Sequence, residues 1–216
     1  MVDITLHSFY ASSASLRVRI ALNLKGIPHD QVTWNLKKKE QKSEEYLKMN
    51  PQGFVPAIER EGKPILSQSL AIIEWLEETY PEPALLPTDI DERARVRAIA
   101  YAIACDTTPL LAGRIMGTLE MDLGADHDAQ TKWFRRWVTD CFGALETQMS
   151  SNPATGKFCC GDTPTLGDIC IAAQVVSNKR FGVDLTPYPT ISRIFDNCMA
   201  MQAFENALPK NQPDAV

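Results

Sequence analysis

Small hydroxyl side chains directly follow the first strand-like segment of the chain. Ser12, Ser13 and Ser15 stand between the alternating pattern of residues 4–10 and the helical spacing of apolar residues over 16–24. Serine accepts hydrogen bonds from the free backbone N–H groups at the start of a helix. The positive end of a helix also attracts anions, and a thiolate is one of them. The pattern therefore predicts an anion site at this helix start, with a plain serine cap as the alternative.

The elements that must position these serines form the pattern of a small α/β domain. A second strand is expected over residues 29–36, because Val32 and Trp34 alternate with polar neighbours. With the first strand and helix it makes a parallel βαβ unit, whose crossover should be right-handed. Further elements then follow: a helix over 44–49, a strand that begins near Pro56, a hairpin turn at Glu61-Gly62 into a strand over 63–66, and a helix that opens at 67–69.

Three prolines within residues 81–88 stop any helix and mark a linker. Beyond the linker the strand pattern disappears and helical spacing of apolar residues recurs. Thr165 and Asp168 have the spacing of a capping box before one of these helices. The predicted organisation is an α/β domain over residues 1–80, the linker over 81–88, and an all-α domain over 89–216.

Composition and charge exclude several classes of function. The net charge of −5 gives no attraction to nucleic acid or to an anionic membrane surface, and no apolar run reaches transmembrane length. The six cysteines include no CxxC pair, and the three histidines match no metal-ligand spacing. We therefore expect a cytoplasmic protein that binds no metal. Adjacent Cys159 and Cys160 leave a redox role open beside simple packing.

Five motifs, in chain order, closely resemble those of the zeta class of glutathione transferases. They are Ser12-Ser13-x-x-x-Arg17-Val18-Arg19-Ile20-Ala21-Leu22, Asn50-Pro51-x-x-x-Val55-Pro56, Gln68-Ser69-Leu70-Ala71-Ile72-Ile73-Glu74, Gly161-Asp162 with Thr165-x-x-Asp168, and Asp184-Leu185-Thr186-Pro187-Tyr188-Pro189-Thr190-Ile191. This class includes maleylacetoacetate isomerase, an enzyme of aromatic amino acid catabolism. The resemblance implies a thioredoxin-like domain that binds glutathione, an all-α domain that binds the substrate, and a homodimer.

The resemblance also implies which residues bind glutathione. Ser12 matches the usual partner of the thiolate, and Ser13 is the second choice. Val55 precedes a proline that resembles the cis-proline of the family, where the backbone pairs with the cysteinyl part of glutathione. Gln68 and Ser69 match the position that holds the γ-glutamyl carboxylate. Thioredoxin-like folds usually present a cysteine pair at the first helix, so serines here make glutathione the source of the thiol.

For the substrate, the resemblance points to two arginines. Arg180 matches a position that contacts the substrate carboxylate, and Arg17 is the other candidate. Members of the isomerase group commonly carry Arg just before the serine pair and Cys just after it. This chain has Ala11 and Ala14 at those positions. Loss of an arginine fork would weaken the binding of a diacid.

Three functions follow from these residues. The first is glutathione-dependent cis–trans isomerisation of maleylacetoacetate or a similar small acid. The second is general glutathione transfer, or dehalogenation, on small electrophiles, and Ala11 favours it. The third is a non-catalytic binding scaffold, which would have no need for Ser12, Val55 and Ser69 together. We therefore expect an enzyme, with glutathione as its cofactor and a small acidic or electrophilic substrate.

Overall fold

The computed structural model describes residues 3–215 and divides into two compact units. The first unit comprises Met1–Leu85 together with Ala200–Val216, and the second comprises Leu86–Met199. The division after Leu85 falls within the predicted linker. Among residues 3–215 we find no helix with the length and hydropathy that a membrane crossing requires.

The first unit begins with a mixed α/β arrangement. Its elements are β1 (Ile4–Ser8), α1 (Ser13–Leu24), β2 (Asp30–Thr33), α2 (Glu44–Met49), β3 (Ala57–Arg60), β4 (Leu66–Ser67) and α3 (Ser69–Thr79). Helices α1 and α3 pack against each other and bury their apolar faces, including Leu16, Ile20 and Ile72. The predicted second strand is shorter than expected, because the chain turns into 3₁₀ helices over Leu36–Lys38 and Glu40–Lys42.

The four strands form one sheet in the order β2-β1-β3-β4. Strand β2 is parallel to β1, as the βαβ pattern predicts, whereas β3 is antiparallel to β1 and β4 is antiparallel to β3. The strand expected over residues 63–66 lies later in the chain. Only Leu66 and Ser67 pair with β3, because the turn at Gly62 takes up the residues before them.

The second unit contains only helices within the part of the chain that the structure describes. They are α4 (Ile90–Tyr101), a π-helix (Ala102–Thr107), a 3₁₀ helix (Thr108–Leu111), α5 (Gly113–Met121), α6 (His127–Ser151), α7 (Leu166–Asn178), a 3₁₀ helix (Lys179–Phe181) and α8 (Pro189–Met199). Helix α4 continues directly into the π-helix, whose carbonyls accept hydrogen bonds from the Thr107 and Thr108 hydroxyls. Helix α5 was not predicted, and Met116 is its one buried residue.

The predicted boundary of the all-α domain at residue 216 is wrong. A final helix, α9 (Gln202–Ala207), and the residues after it cluster with the first unit. The reason is that α9 packs on α1, where it buries Phe204 and Ala207. Polar side chains of α1 add to this contact, since Asn23 donates to the carbonyl of Ala203 at 2.9 Å. The last residues of the chain therefore complete the α/β unit.

The capping box predicted for Thr165 and Asp168 is present at the start of α7. The Asp168 carboxylate is fully buried and accepts from the backbone N–H groups of Cys159 and Thr165 at 2.7 and 2.8 Å. It also accepts from the Thr165 hydroxyl at 2.8 Å and from the Cys159 thiol at 3.3 Å. Burial raises the pKa of Asp168, and these hydrogen bonds oppose that effect. One carboxylate thus closes the loop that precedes α7.

We expect Asp168→Ala to lower the free energy of unfolding by roughly 3 kcal/mol, because several buried donors would lose their acceptor at once. Equilibrium unfolding in denaturant measures the loss. Asp140→Ala is the matched control, since Asp140 is exposed on α6 and, among residues 3–215, pairs with Arg136 alone, at 3.9 Å. It should change stability by less than about 0.5 kcal/mol. Equal effects of the two substitutions would contradict this account.

Candidate active site

The antiparallel pairings bring three loops to one edge of the sheet. His7, near the end of β1, pairs with Ala57 at the start of β3, and Ala57 pairs with Ser67 at the end of β4. The end of β1, the start of β3 and the end of β4 therefore lie side by side. Ser12 follows the first of these ends, Val55 precedes the second, and Ser69 follows the third. The sheet thus places three of the predicted glutathione residues on the same edge.

Ser12 is the N-cap of α1. Its backbone is extended, and its Oγ accepts from the Ser15 N–H at 3.2 Å. A hydroxyl that accepts this bond keeps its own proton to donate. The N–H groups of Ser13 and Ala14, at the first helical positions, have no acceptor within the helix. The half-buried start of α1 therefore offers one hydroxyl donor and two amide donors.

Val55 is joined to Pro56 by a cis peptide bond, in agreement with the motif. Its side chain is buried in a cluster with Phe9 and Tyr46. The Val55 backbone N–H and C=O form no hydrogen bond with any of residues 3–215. Since a buried backbone normally pairs its polar groups, this short stretch is suited to bind an extended peptide backbone.

Gln68 and Ser69 form the start of α3. Gln68 is the N-cap and has a φ of 72°, which a residue other than glycine rarely adopts. Its side-chain amide donates to Gln52 Oε1 at 3.0 Å, and Ser67 Oγ contacts the same oxygen at 3.4 Å. Ser69 follows as the first helical residue and is 7% exposed. Backbone strain of this kind concentrates at functional sites, and a helix start suits a carboxylate.

The first unit contains no cysteine, because the first cysteine of the sequence is Cys105 and the last is Cys198. The adjacent pair lies in the second unit, where Cys159 is buried and Cys160 is half-buried. Burial raises the pKa of both thiols, and carboxylates add to the effect, from Asp168 at Cys159 and from Glu92 at Cys160. Thiols of this kind are poor nucleophiles. Packing therefore accounts for both residues better than a redox role.

The two predicted substrate residues have different surroundings. Arg17 lies in α1, is 2% exposed, and donates from Nε to the carbonyl of Ser13 at 3.5 Å. Arg180 is exposed in the 3₁₀ helix Lys179–Phe181 of the second unit. The carbonyl of Phe181 accepts from Arg135 Nε at 2.9 Å, which holds that turn in place. Arg180 is thus the arginine that is presented to solvent.

The sequence pattern did not identify the residues that support the loop between α2 and β3, which contains Val55 and which we call the Val55 loop. The carbonyl of Phe54 accepts from Tyr46 Oη at 2.6 Å and from Asn50 Nδ2 at 2.9 Å. Tyr46 in turn packs edge-on against Trp34, with ring centroids 4.7 Å apart. Asn50 belongs to a motif that the sequence displays, so it could have been found. Tyr46 and Trp34 carry no local signal, because their roles arise only from long-range packing.

His7 completes this cluster. Its Nδ1 accepts from Trp34 Nε1 at 3.0 Å, and its Nε2 faces Glu59 Oε2 at 3.5 Å. The indole nitrogen can only donate, so Nδ1 of His7 must be unprotonated. Burial lowers the pKa of His7, and the exposed Glu59 opposes that shift. A neutral His7 is therefore part of the native arrangement behind the Val55 loop.

Comparison with known proteins agrees with this geometry. The family model of the glutathione S-transferase N-terminal domain matches residues 6–84. Maleylpyruvate isomerase of Ralstonia sp. is 45% identical over 211 residues, which cover 98% of this chain and 99% of the relative. Maleylacetoacetate isomerase of Rattus norvegicus is 44% identical over 97% of this chain and 94% of its own length.

Solved structures show the same relationship. The holo structure of a maleylpyruvate isomerase, described as a bacterial zeta-class glutathione transferase, has a TM-score of 0.96 at 45% identity and covers 98% of this chain and 100% of its own. Maleylacetoacetate isomerase from Methylobacterium extorquens AM1, solved with malonate and glutathione, has a TM-score of 0.95 at 38% identity and covers 98% of this chain and 99% of its own.

The fold, and the site where the end of β1, the start of β3 and the end of β4 meet, identify an enzyme of the glutathione transferase type. It has a thioredoxin-like domain and an all-α domain. The chain belongs to the zeta class of this family, the class of the maleylacetoacetate and maleylpyruvate isomerases. The predicted family, fold class and enzyme class are therefore confirmed.

The neutral His7 gives stability a defined pH dependence. Above a pH of about 6.5 the residue is neutral in both states, and below it the unfolded chain takes up the proton more readily than the folded one. We expect the free energy of unfolding to fall as pH decreases from about 7 to 5, and His7→Gln to reduce that fall. Denaturant unfolding at several pH values measures it, with His127→Gln at an exposed position as control. An unchanged slope in His7→Gln would contradict the assignment.

Proposed function

We propose that this protein is a glutathione-dependent cis–trans isomerase of maleylacetoacetate or a closely similar unsaturated acid. The observation that carries the proposal is the shared end of the sheet, where the start of α1, the Val55 backbone and the start of α3 meet in a unit without cysteine. The names of the most similar relatives support the choice of reaction.

The residues at this edge fit the parts of glutathione. The backbone of Val55, which has no partner among residues 3–215, would pair with the cysteinyl backbone of the tripeptide. The N–H and hydroxyl of Ser69, at the positive end of α3, would hold the γ-glutamyl carboxylate, and the strained Gln68 presents that helix start. Ser12 and Ser13 lie at the N-terminal start of α1, where we place the thiol.

When bound, glutathione supplies a thiolate that adds to the conjugated cis alkene and leaves again after rotation about the resulting single bond. The role of the protein is to hold that thiol ionised. A shift of the thiol pKa from about 8.5 to about 6.5 needs roughly 2.7 kcal/mol. A hydrogen bond to a charged group contributes about 1.5 to 3 kcal/mol and a helix N-terminus up to about 2 kcal/mol. We assign these contributions to the Ser12 hydroxyl and to α1, with Ser13 as the second candidate for the hydroxyl.

We assign the substrate carboxylate to Arg180. Its exposure and the fixed turn that carries it suit an anionic ligand, and a guanidinium matches a carboxylate in geometry. Arg17 was the other predicted contact. Its burial and its bond to the Ser13 carbonyl favour a supporting role within the serine turn.

A second candidate is transfer of glutathione to small electrophiles, including dehalogenation. Ala11 and Ala14 favour it, because neither side chain can bind or polarise a diacid. The same thiol-activating site would serve both reactions. We further propose a cytoplasmic homodimer: the family resemblance supports the dimer, and the free state of all six cysteines agrees with a reducing compartment. Sedimentation of the purified protein would measure the oligomeric state.

Conversion of maleylacetone with and without glutathione separates the two activities, provided that free thiol is titrated in the same reaction. We expect conversion that requires glutathione and leaves the thiol titre constant. Thiol loss with a chlorinated acid or an aryl halide, and no conversion of maleylacetone, would establish the transferase and exclude the isomerase.

We expect Ser12→Ala to lower turnover at least about 100-fold while glutathione affinity changes only a few fold, because a donor to the thiolate is lost. Steady-state kinetics and glutathione titration measure the two effects. Ser43→Ala is the matched control, since Ser43 caps α2 with the same 3.2 Å bond to a backbone N–H. Its stability loss should be similar and its turnover close to wild type. Wild-type turnover in Ser12→Ala would exclude the role given to Ser12.

We expect Arg180→Gln to raise the KM for a dicarboxylate substrate about 10- to 100-fold, the equivalent of one lost charged hydrogen bond. The KM for glutathione should not change, because Arg180 is assigned to the substrate alone. Lys179→Gln removes a charge from the neighbouring position and controls for general electrostatic attraction. If both substitutions raise the KM equally, the assignment to Arg180 is wrong.

A further inference from the structure

Arg19 is a buried cation that forms hydrogen bonds with both the N-terminal and the C-terminal segments of the first unit. It lies in α1, is 2% exposed, and donates from Nε to the carbonyl of Ala207 at 3.0 Å. Its Nη1 contacts Ser8 Oγ at 3.0 Å and the carbonyl of Phe9 at 3.3 Å. Its Nη2 donates to the carbonyl of Tyr10 at 3.1 Å. One guanidinium thus joins the end of α9 to the residues that lead into Ser12.

Asp214 also contacts the segment that leads into Ser12. Its Oδ2 accepts from the Tyr10 N–H at 3.0 Å. Its Oδ1 is buried and has no hydrogen-bond partner among residues 3–215. The carboxylate is held there by a compact C-terminal segment, in which Gln212 donates to the carbonyls of Asn206 and Leu208. The backbone of Tyr10 is therefore fixed through its N–H by Asp214 and through its carbonyl by Arg19.

Charge couples these two residues. Burial lowers the pKa of Arg19 to about 10, and the negative charge of Asp214 acts against that shift. Arg19 therefore remains charged at neutral pH. A buried charge needs a full set of partners, which restricts how the surrounding backbone can move.

The Ser12 turn, defined as residues 9–12, depends on these contacts. The Ser12 N–H donates to the carbonyl of Phe9 at 3.1 Å, and this is the carbonyl that Arg19 also contacts. We call Arg19, Ala207 and Asp214 together the C-terminal latch. The latch holds the backbone of Phe9 and Tyr10, the two residues before Ala11. A displacement of this turn would move the Ser12 hydroxyl relative to the Val55 backbone, which belongs to a different strand end.

We propose that Arg19 and Asp214 are positioning residues, which hold the Ser12 turn through the C-terminal latch and so set where the Ser12 hydroxyl meets the thiol. This rests on the proposed function, in which Ser12 stabilises the thiolate of glutathione. Neither residue touches the ligand. Their effect reaches the chemistry through the backbone of Phe9 and Tyr10.

Asp214 allows the sharper test, because it is half-buried, whereas loss of the buried Arg19 would leave several acceptors unpaired and threaten the fold. Asp214→Ala removes the acceptor for Tyr10. Asp214→Asn keeps an acceptor oxygen and removes the charge. Lys210→Ala is the control, since Lys210 lies in the same segment and pairs with Glu205 at the surface. Ser12→Ala is measured beside them.

The first readout is the pKa of the thiol of bound glutathione, followed by the ultraviolet absorbance of the thiolate. We expect Asp214→Ala to raise it by about 0.5 to 1 unit, and to slow the reaction about 3- to 9-fold near pH 5.5, about 2- to 5-fold near pH 6.5, and little at higher pH. Asp214→Asn should stay within about twofold of wild type in rate, and Lys210→Ala should match wild type.

The second readout needs no ligand. Amide hydrogen exchange in the free protein should be at least about tenfold faster at Tyr10 in Asp214→Ala, because that N–H loses its acceptor. A wild-type thiol pKa in Asp214→Ala, beside a raised one in Ser12→Ala, would overturn the positioning role even if stability falls. A wild-type thiol pKa in Ser12→Ala would instead overturn the proposed role of Ser12. In that case, an unchanged rate of amide hydrogen exchange at Tyr10 in Asp214→Ala would also exclude the proposed role of the C-terminal latch.

Discussion

Antiparallel pairing of β3 with β1 is the constraint on which the site depends. It brings the end of β1 beside the start of β3, and the pairing of β3 with β4 adds a third loop to the same edge. Ser12, Val55 and Ser69 are far apart in the chain and meet only through these pairings. A shift of one residue in either register would turn every side chain of the strand to the other face and separate the loops.

The loops at this edge leave backbone groups unpaired, and the protein supports them with buried polar side chains. Tyr46 and Asn50 share the carbonyl of Phe54, and Arg19 holds the carbonyls of Phe9 and Tyr10. Each of these side chains loses hydration when it is buried, so the arrangement is stable only while the partners stay in place. A catalytic group must be held within about 0.5 Å of its productive position, and we propose that this support serves the Ser12 hydroxyl in that way.

Local features of the site could be predicted from the sequence. A serine run before an apolar helical pattern specified the N-cap at Ser12, and the capping box at Thr165 and Asp168 needed only its spacing. The motif around Pro56 indicated the cis peptide bond, which the structure contains. Helix α5 and the place of α9 could not be predicted, because α5 buries little and α9 is fixed by contact with a helix almost 200 residues earlier.

The sequence by itself determined the order of elements, the family and the residues that cap the helices, because these depend on propensity, spacing and short-range hydrogen bonds. Only the tertiary structure decided that the C-terminal segment completes the α/β unit, that Arg17 is buried while Arg180 is exposed, and that Asp214 reaches Tyr10. These outcomes depend on contacts between residues distant in the chain, and no local pattern encodes which distant partner a buried charge will find.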